Sequence, residues 1–200
     1  MRLEYNAPVI LTFTLISTAV LIISQFAVDI MPFFTIYPVV EPTNPIWYLR
    51  LFSHVIGHGG WPHLVGNFTF ILLIGPILEE KYGSRDLLFM MAVTALVTGV
   101  LHLIISGFGL TGEPTGLLGA SGIVFMLILL SSVTNSKGGI PLTFVLIVIL
   151  FLGTEVIGSF ADDNISQLAH IIGGILGGIF GFFLKGRKVN NTAKKPVTGL

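Results

Sequence analysis

The stretch Leu117-Leu118-Gly119-Ala120-Ser121-Gly122-Ile123-Val124-Phe125-Met126-Leu127-Ile128-Leu129-Leu130 is apolar throughout except for one hydroxyl, on Ser121. A second stretch, Leu168-Ala169-His170-Ile171-Ile172-Gly173-Gly174-Ile175-Leu176, carries one imidazole near its own start. Hydrocarbon makes ionisable side chains expensive, so one kept inside a membrane-length run marks a functional site. Whether Ser121 and His170 belong to one site depends on how the chain threads the bilayer.

Composition places the chain in a membrane. Hydrophobic residues make up 53% and charged residues 10% of its 200 residues, and the mean hydropathy is +0.92. A soluble domain carries about 25% charged residues. The length suits about six helices of ~20 residues with short loops and leaves no room for a second folded domain. With no cysteine, disulfides, thiol catalysis and cysteine-ligated metals are excluded.

Six apolar runs follow one another: Pro8–Val28, Pro62–Leu78, Leu87–Ser106, Leu117–Val133, Ile140–Ile157 and Leu168–Leu184. The first lacks a strongly basic leader and reads as a retained span, not a cleaved signal peptide. The long connection after it holds Pro32, Pro38, Pro42 and Pro45 and is expected to pack against or partly into the membrane. Trp47, Tyr48 and Trp61 are its expected interfacial anchors. Basic residues cluster on one side: Arg2, Lys81, Arg85, Lys137, and Lys185, Arg187, Lys188, Lys194 and Lys195. The other side holds Arg50 with the acidic Asp29, Glu41, Glu113, Asp162 and Asp163. By the positive-inside rule both termini are cytoplasmic, and the second, fourth and sixth spans begin at the outer face. The expectation is thus an all-α, polytopic six-helix bundle. Residues 1–7 form a short cytoplasmic segment, 8–184 the membrane domain and 185–200 a basic tail facing anionic lipid.

That topology brings polar residues together. Ser121 and His170 each lie about one turn into a span, and His63 and Asn67 occupy the first turns of the second. The three spans that carry them are short, so they leave a depression that water can fill. Ser121 Oγ needs a base before it can attack, and an imidazole titrates in the right range to serve. Gly119 and Gly122 remove bulk beside Ser121 and allow another backbone to approach. His63 and Asn67 share a helix face at four-residue spacing. With the Ser121 backbone N–H they could hold an oxyanion. Phe125, four residues after Ser121, could pack on the imidazole. No carboxylate lies at the same depth, which favours a Ser–His dyad over a triad. The Gly173, Gly177 and Gly181 repeat is read as a packing stripe that holds the sixth helix close to a neighbour.

The pattern resembles the rhomboid family of intramembrane serine proteases. The resemblance runs from Trp47 to Leu184 and rests on four motifs: His63-x-x-x-Asn67, Gly75-x-x-x-Glu79-x-x-x-Gly83, Gly119-x-Ser121-Gly122, and Ala169-His170-x-x-Gly173-x-x-x-Gly177. It implies a rhomboid-like six-span frame, with Ser121 as nucleophile, His170 as base, and His63, Asn67 and Gly119 beside the oxyanion. It implies Gly122, Phe125, Gly173 and Gly177 in support, and cleavage of other membrane proteins in or near their transmembrane helices. It also implies a multi-pass cell-membrane location with the active site on the extracytoplasmic side. In the family the loop after the first span sits partly in the membrane, and the fifth span, here Ile140–Ile157, is described as a lateral gate. Several relatives have tyrosine where this chain has Phe125. Transmembrane substrates and lipids are the expected partners, with no cofactor, metal or nucleic acid. Substrate helices with Gly or Pro near the cut are expected to be favoured, because such segments unwind more readily.

Other readings compete. A Gly-x-Ser-Gly in a membrane helix can be a packing notch, and a membrane histidine can be structural. A catalytically inactive rhomboid-like chaperone would bind transmembrane helices, yet such relatives lose the serine or the histidine. A small transporter would place its polar residues at mid-membrane within repeats. His54 and His58 could suggest a metal, but no HExxH arrangement accompanies them, so both are expected to bond within their loop. His102 is expected to bond locally at the interface. Glu155 can reach water at the outer end of its span. Glu79 and Glu80 are expected to form salt bridges with Lys81 and Arg85.

Overall fold

The computed structural model describes residues 4–108, 116–134, 139–158 and 164–184, with the side chains of all but 107, 151–158 and 164–167. Arg2, Glu113, Lys137, Asp162, Asp163 and the basic tail lie outside the described residues, as does the side chain of Glu155. All regular structure among the described residues is helical. The order is α1 (Pro8–Phe26), a 3-10 turn (Met31–Phe34), α2 (Pro45–Ser53), α3 (Trp61–Tyr82), α4 (Ser84–Gly107), α5 (Ser121–Val133), α6 (Leu142–Gly158) and α7 (Asn164–Phe183). One isolated antiparallel bridge joins Ile36 to Leu117.

Among the described residues three helical stretches are long and apolar enough to cross a membrane: Pro8–Phe26, Trp61–Tyr82 and Ser84–Ser106. The connection after α1 is not a plain loop. Asn44 Oδ1 accepts the Ile46 N–H at 3.0 Å, and Pro45 opens α2 with its φ already set for a helix. Trp47 donates its ring N–H to the Val39 carbonyl at 3.0 Å and Tyr48 its hydroxyl to Pro42 at 3.0 Å. Arg50 donates Nε–H to the Pro32 carbonyl at 2.9 Å while its guanidinium lies 5.1 Å from the Tyr37 ring centre. Phe33, Tyr48, Leu49, Phe52 and Trp61 remain exposed along this segment.

α3 runs four residues beyond the expected Leu78 and stops at Gly83, whose φ of 87° suits glycine. α5 departs furthest from its expected span. Leu117 is held extended by Ile36, with N–H···O distances of 2.9 Å in both directions, and the helix begins only at Ser121. Its 13 residues rise about 20 Å, well short of the ~30 Å hydrocarbon core. Ser121 is therefore the first helical residue, not one turn in.

A buried carboxylate joins the first helix to the bundle. Glu79 Oε1 and Oε2 accept the Val9 and Ile10 N–H groups at 2.9 and 3.0 Å. Those are first-turn donors of α1 with no partner inside the helix, and they favour a negative charge. Below the carboxylate Ile10 fills the notch at Gly75, where an added Cβ would lie 2.5 Å from Ile10 Cδ1. The expected role for Glu79 as a salt-bridge partner of Lys81 and Arg85 gives way to this one. Lys81 Nζ donates to the Thr134 carbonyl at the end of α5, and Tyr82 OH lies 3.1 Å from Thr134 Oγ1.

Glu79→Ala should strip two buried N–H groups of a charged acceptor and lower stability by about 2–4 kcal/mol. Reversible unfolding in mixed micelles measures it; a loss equal to that of an exposed control such as Glu80→Ala would contradict the clamp.

Candidate functional site

α5 and α7 meet backbone to backbone. A Cβ on Gly173 would collide with the Gly122 carbonyl, and one on Gly177 with the Met126 carbonyl. A Cβ on Gly122 would in turn lie 3.3 Å from the Ala169 carbonyl. At Gly173 and Gly177 the two helices thus touch with no side chain between, and one turn on, at Gly181, the Val133 side chain comes between them. The register places His170, which follows Ala169, beside the helical turn that begins at Ser121. Phe125 confirms the placement: its ring centre lies 4.5 Å from that of His170, with the planes at 42°. Ser121, Phe125 and His170 are all half-buried. The imidazole is packed against Phe125 and remains partly accessible.

The residues before Ser121 are fixed by their N–H groups. Leu117 N–H goes to Ile36, Gly119 N–H to the His54 carbonyl at 2.9 Å, and Ala120 N–H to His58 Nε2 at 3.4 Å. Gly119 takes φ = +120°, a conformation L side chains rarely adopt. Its α-carbon faces His63. An added Cβ would stand 2.6 Å from His63 Nε2 and 3.8 Å from Asn67 Nδ2. His63 Nδ1 accepts the Gly59 N–H at 3.4 Å, which leaves the ring proton on Nε2, facing Gly119. The Ser121 N–H, at the first position of α5, has no acceptor within the helix. His63 Nε2–H and the Asn67 amide thus border one spot beside Gly119, two residues before Ser121. His63 is exposed.

The structure therefore brings together Ser121, His170, Phe125, Gly119, His63 and Asn67, with Gly122, Gly173 and Gly177 forming the contact beneath. His54 and His58 do more than bond within their loop. His54 Nδ1 donates to Arg50 O at 3.1 Å, and its Nε2 lies 3.4 Å from Thr98 Oγ1 on α4. His58 Nδ1 donates to Ile56 O at 3.0 Å, and its Nε2 accepts from Asn67 Nδ2 at 3.1 Å. His58 reads from the sequence as a loop histidine, and only the fold brings it to Asn67. His102 also departs from expectation. It is 3% exposed, and its Nε2 finds no hydrogen-bond partner among the described residues. Nor, among those residues, are three His, Asp or Glu side chains grouped to hold a metal ion.

The sequence as a whole is similar to known proteins. The sequence model of the Rhomboid domain matches residues 46–187. The chain is 27% identical over 150 residues to rhomboid protease GlpG of Haemophilus influenzae, covering 73% of this chain and 74% of that one. It is 30% identical over 146 residues to the Bacillus subtilis protein YdcA, covering 70% and 68%. Rhomboid protease GluP of Bacillus subtilis is 27% identical over 134 residues, 67% of this chain but 25% of that longer protein.

Two outcomes follow from the geometry. Gly173→Ala and Gly177→Ala should each force α7 off α5 and reduce activity at least tenfold, since overpacking costs about 1–3 kcal/mol. Gly178→Ala should be tolerated, because its Cβ would meet only the Phe144 ring at 3.5 Å. Equal effects from all three would refute the contact. Stability should also fall in acid. Burial pushes His54 and His58 down from 6.5 to about 4. The unfolded chain then takes up protons that the folded one refuses. The stabilisation is complete above 6.5 and is lost as pH falls from there toward 4. A melting temperature in detergent that does not drop between neutrality and about pH 5 would refute it.

Proposed function

The chain belongs to the rhomboid family, and from that membership and the site geometry we propose that it is an intramembrane serine protease. It hydrolyses peptide bonds in or near the transmembrane helices of other membrane proteins. The observation that carries the reading is the α5–α7 contact, which seats the His170 ring on Phe125 at 4.5 Å beside the turn begun by Ser121.

Ser121 Oγ attacks the scissile carbonyl while His170 accepts its proton. The carbonyl oxygen gains charge where Ser121 N–H, His63 Nε2–H and the Asn67 amide can donate to it. His170 then protonates the leaving amine, and an acyl-enzyme remains on Ser121. A water deprotonated by His170 hydrolyses that ester through the same oxyanion pocket. Histidine suits both transfers because its proton affinity lies near neutral pH. The exposed His63 leaves water a route to the site. Phe125 keeps the imidazole face covered without adding a hydroxyl.

In this reading residues 8–184 form a six-span membrane domain with both termini cytoplasmic, 1–7 and 185–200 flank it, and the site faces the extracytoplasmic side of the cell membrane. α6 stands at the lipid-facing edge, where a substrate helix would enter. Among the described residues it packs only on α5 and α7, and Leu142, Leu146, Ile149 and Leu150 along it are exposed. Retention of both Ser121 and His170 argues for catalysis over helix-binding without cleavage.

The test compares wild type with Ser121→Ala and His170→Ala in liposomes, using a model single-span substrate read by mass spectrometry. Wild type should cleave it, and each variant should fall at least ~10³-fold. Cleavage that survives both substitutions would sink the mechanism. Substrate binding without cleavage by all three would favour the chaperone.

A further inference from the structure

One buried imidazole near the pocket has no part in the mechanism above. His58 is 1% exposed, and both ring nitrogens are committed. Nδ1 faces the Ile56 carbonyl at 3.0 Å. A carbonyl only accepts, so the ring proton sits on Nδ1 and Nε2 presents a lone pair. Asn67 Nδ2 lies 3.1 Å and Ala120 N 3.4 Å from that atom. The ring is held edge-on to His63 at 4.9 Å and tilted against Phe68 at 5.5 Å. It cannot swing away without breaking both contacts.

A fixed acceptor decides which way a carboxamide points. With Nε2 as acceptor, Asn67 must turn its NH2 toward His58. The flipped amide would set its oxygen against a lone pair in a buried site, where an unmet polar group costs about 1–3 kcal/mol. The Asn67 nitrogen is thereby held on the Gly119 side of the pocket, 3.8 Å from where a Gly119 Cβ would lie. One hydrogen serves His58 and the other is left for a developing oxyanion. The same lone pair draws the Ala120 N–H and fixes the peptide that leads into Ser121. Burial keeps the ring neutral at working pH, holding its proton affinity down at about 4.

We propose that His58 is a positioning residue of the oxyanion pocket, acting through Asn67 and the Ala120 backbone without touching substrate. The inference rests on the protease reading. It assigns to a loop histidine the task of keeping an amide donor aimed at charge that develops in the transition state. Interactions of that kind raise kcat and leave KM nearly unchanged.

The experiment measures kcat and KM on the model substrate for His58→Leu, His58→Met and His58→Gln, with melting temperatures alongside. Leu and Met fill the space without a comparable acceptor, whereas Gln can return an oxygen near the Nε2 position. The two apolar variants should lose about 10- to 100-fold in kcat with KM within about twofold, since loss of a whole oxyanion donor costs ~10²–10³. Gln should recover most of that loss. In an Asn67→Ala background, His58→Leu should add only the small part of its loss that runs through the longer Ala120 contact, because the residue acts chiefly through Asn67. Equal losses for Gln and Leu, a loss confined to KM, or full additivity with Asn67→Ala would each overturn the proposal. Should both apolar variants fail to fold, Gln decides alone: kcat within about threefold of wild type supports the proposal, and a tenfold loss overturns it. Ser121→Ala in the same assay separates the two readings. Activity without Ser121 refutes the protease, whereas an inactive Ser121→Ala with an unaffected His58→Leu refutes only this role.

Discussion

Two glycines of α7 lie against backbone carbonyls of α5, and the rest of the site hangs on that contact. Lipid offers no hydrophobic gain for pressing helices together, so close approach and dispersion must supply the association. Gly173 on Gly122 and Gly177 on Met126 allow the two backbones to touch without an intervening side chain. The register is then set by shape. His170 falls beside the first turn of α5, and Phe125 covers its face at 4.5 Å. Imidazole and hydroxyl come from segments some fifty residues apart, yet their relation is fixed by rigid backbone, the most exact positioning device a helical bundle has.

The other side of the Ser121 turn is held by hydrogen bonds. A buried backbone polar group needs a partner, and membrane proteins satisfy it internally or where irregular chain is enclosed by protein. The segment Leu117–Ala120 meets that demand by giving N–H groups to Ile36, His54 and His58. Each acceptor belongs to the long segment between α1 and α3, so this segment is structural as well as interfacial. Its own fold is tied down in turn by Arg50 on Pro32 and by Ser53 on the Phe33 carbonyl at 2.8 Å. Ser121, the proposed nucleophile, is thus clamped between α7 on one face and a hydrogen-bonded loop on the other.

Part of this was legible in the residues alone. Hydropathy marks the apolar helices, because burying or lipid-facing stretches must be apolar whatever they pack against. Four-residue spacing puts His63 with Asn67 and Gly173 with Gly177, since both pairs lie on single helix faces. Hydropathy could not show where α5 begins, because Leu117 and Leu118 are as apolar as the helix that follows. The φ of Gly119 and the bridge to Ile36 decide it. Glu79 was assigned to its near neighbours, while its true partners, Val9 and Ile10, lie about seventy residues away. A distance of that kind leaves no local pattern. His58 was hidden for a similar reason. A loop histidine looks alike whether it bonds to its own loop or to a side chain on the next helix.

The packing also separates what is held from what can yield. The proposed catalytic groups sit on α3, α5 and α7 and are braced by the α1–α3 segment, and the described side chains of α6 meet α7 further along, away from His170. Phe144 on α6 touches α7 at Gly178 and, with ring centres 5.5 Å apart, at Phe182. Beside it lies an apolar space of about 420 Å³ bordered by Leu129, Val148, Ile171 and Ile175. The space is an open groove, so α6 and α7 make few direct contacts along it and displacing α6 gives up little there. In lipid the surfaces it uncovers meet acyl chains at no hydrophobic penalty. On the protease reading, a substrate helix could therefore displace α6 while Ser121, His170 and the oxyanion donors keep their places. Access and alignment then impose no conflicting demand on the same contacts.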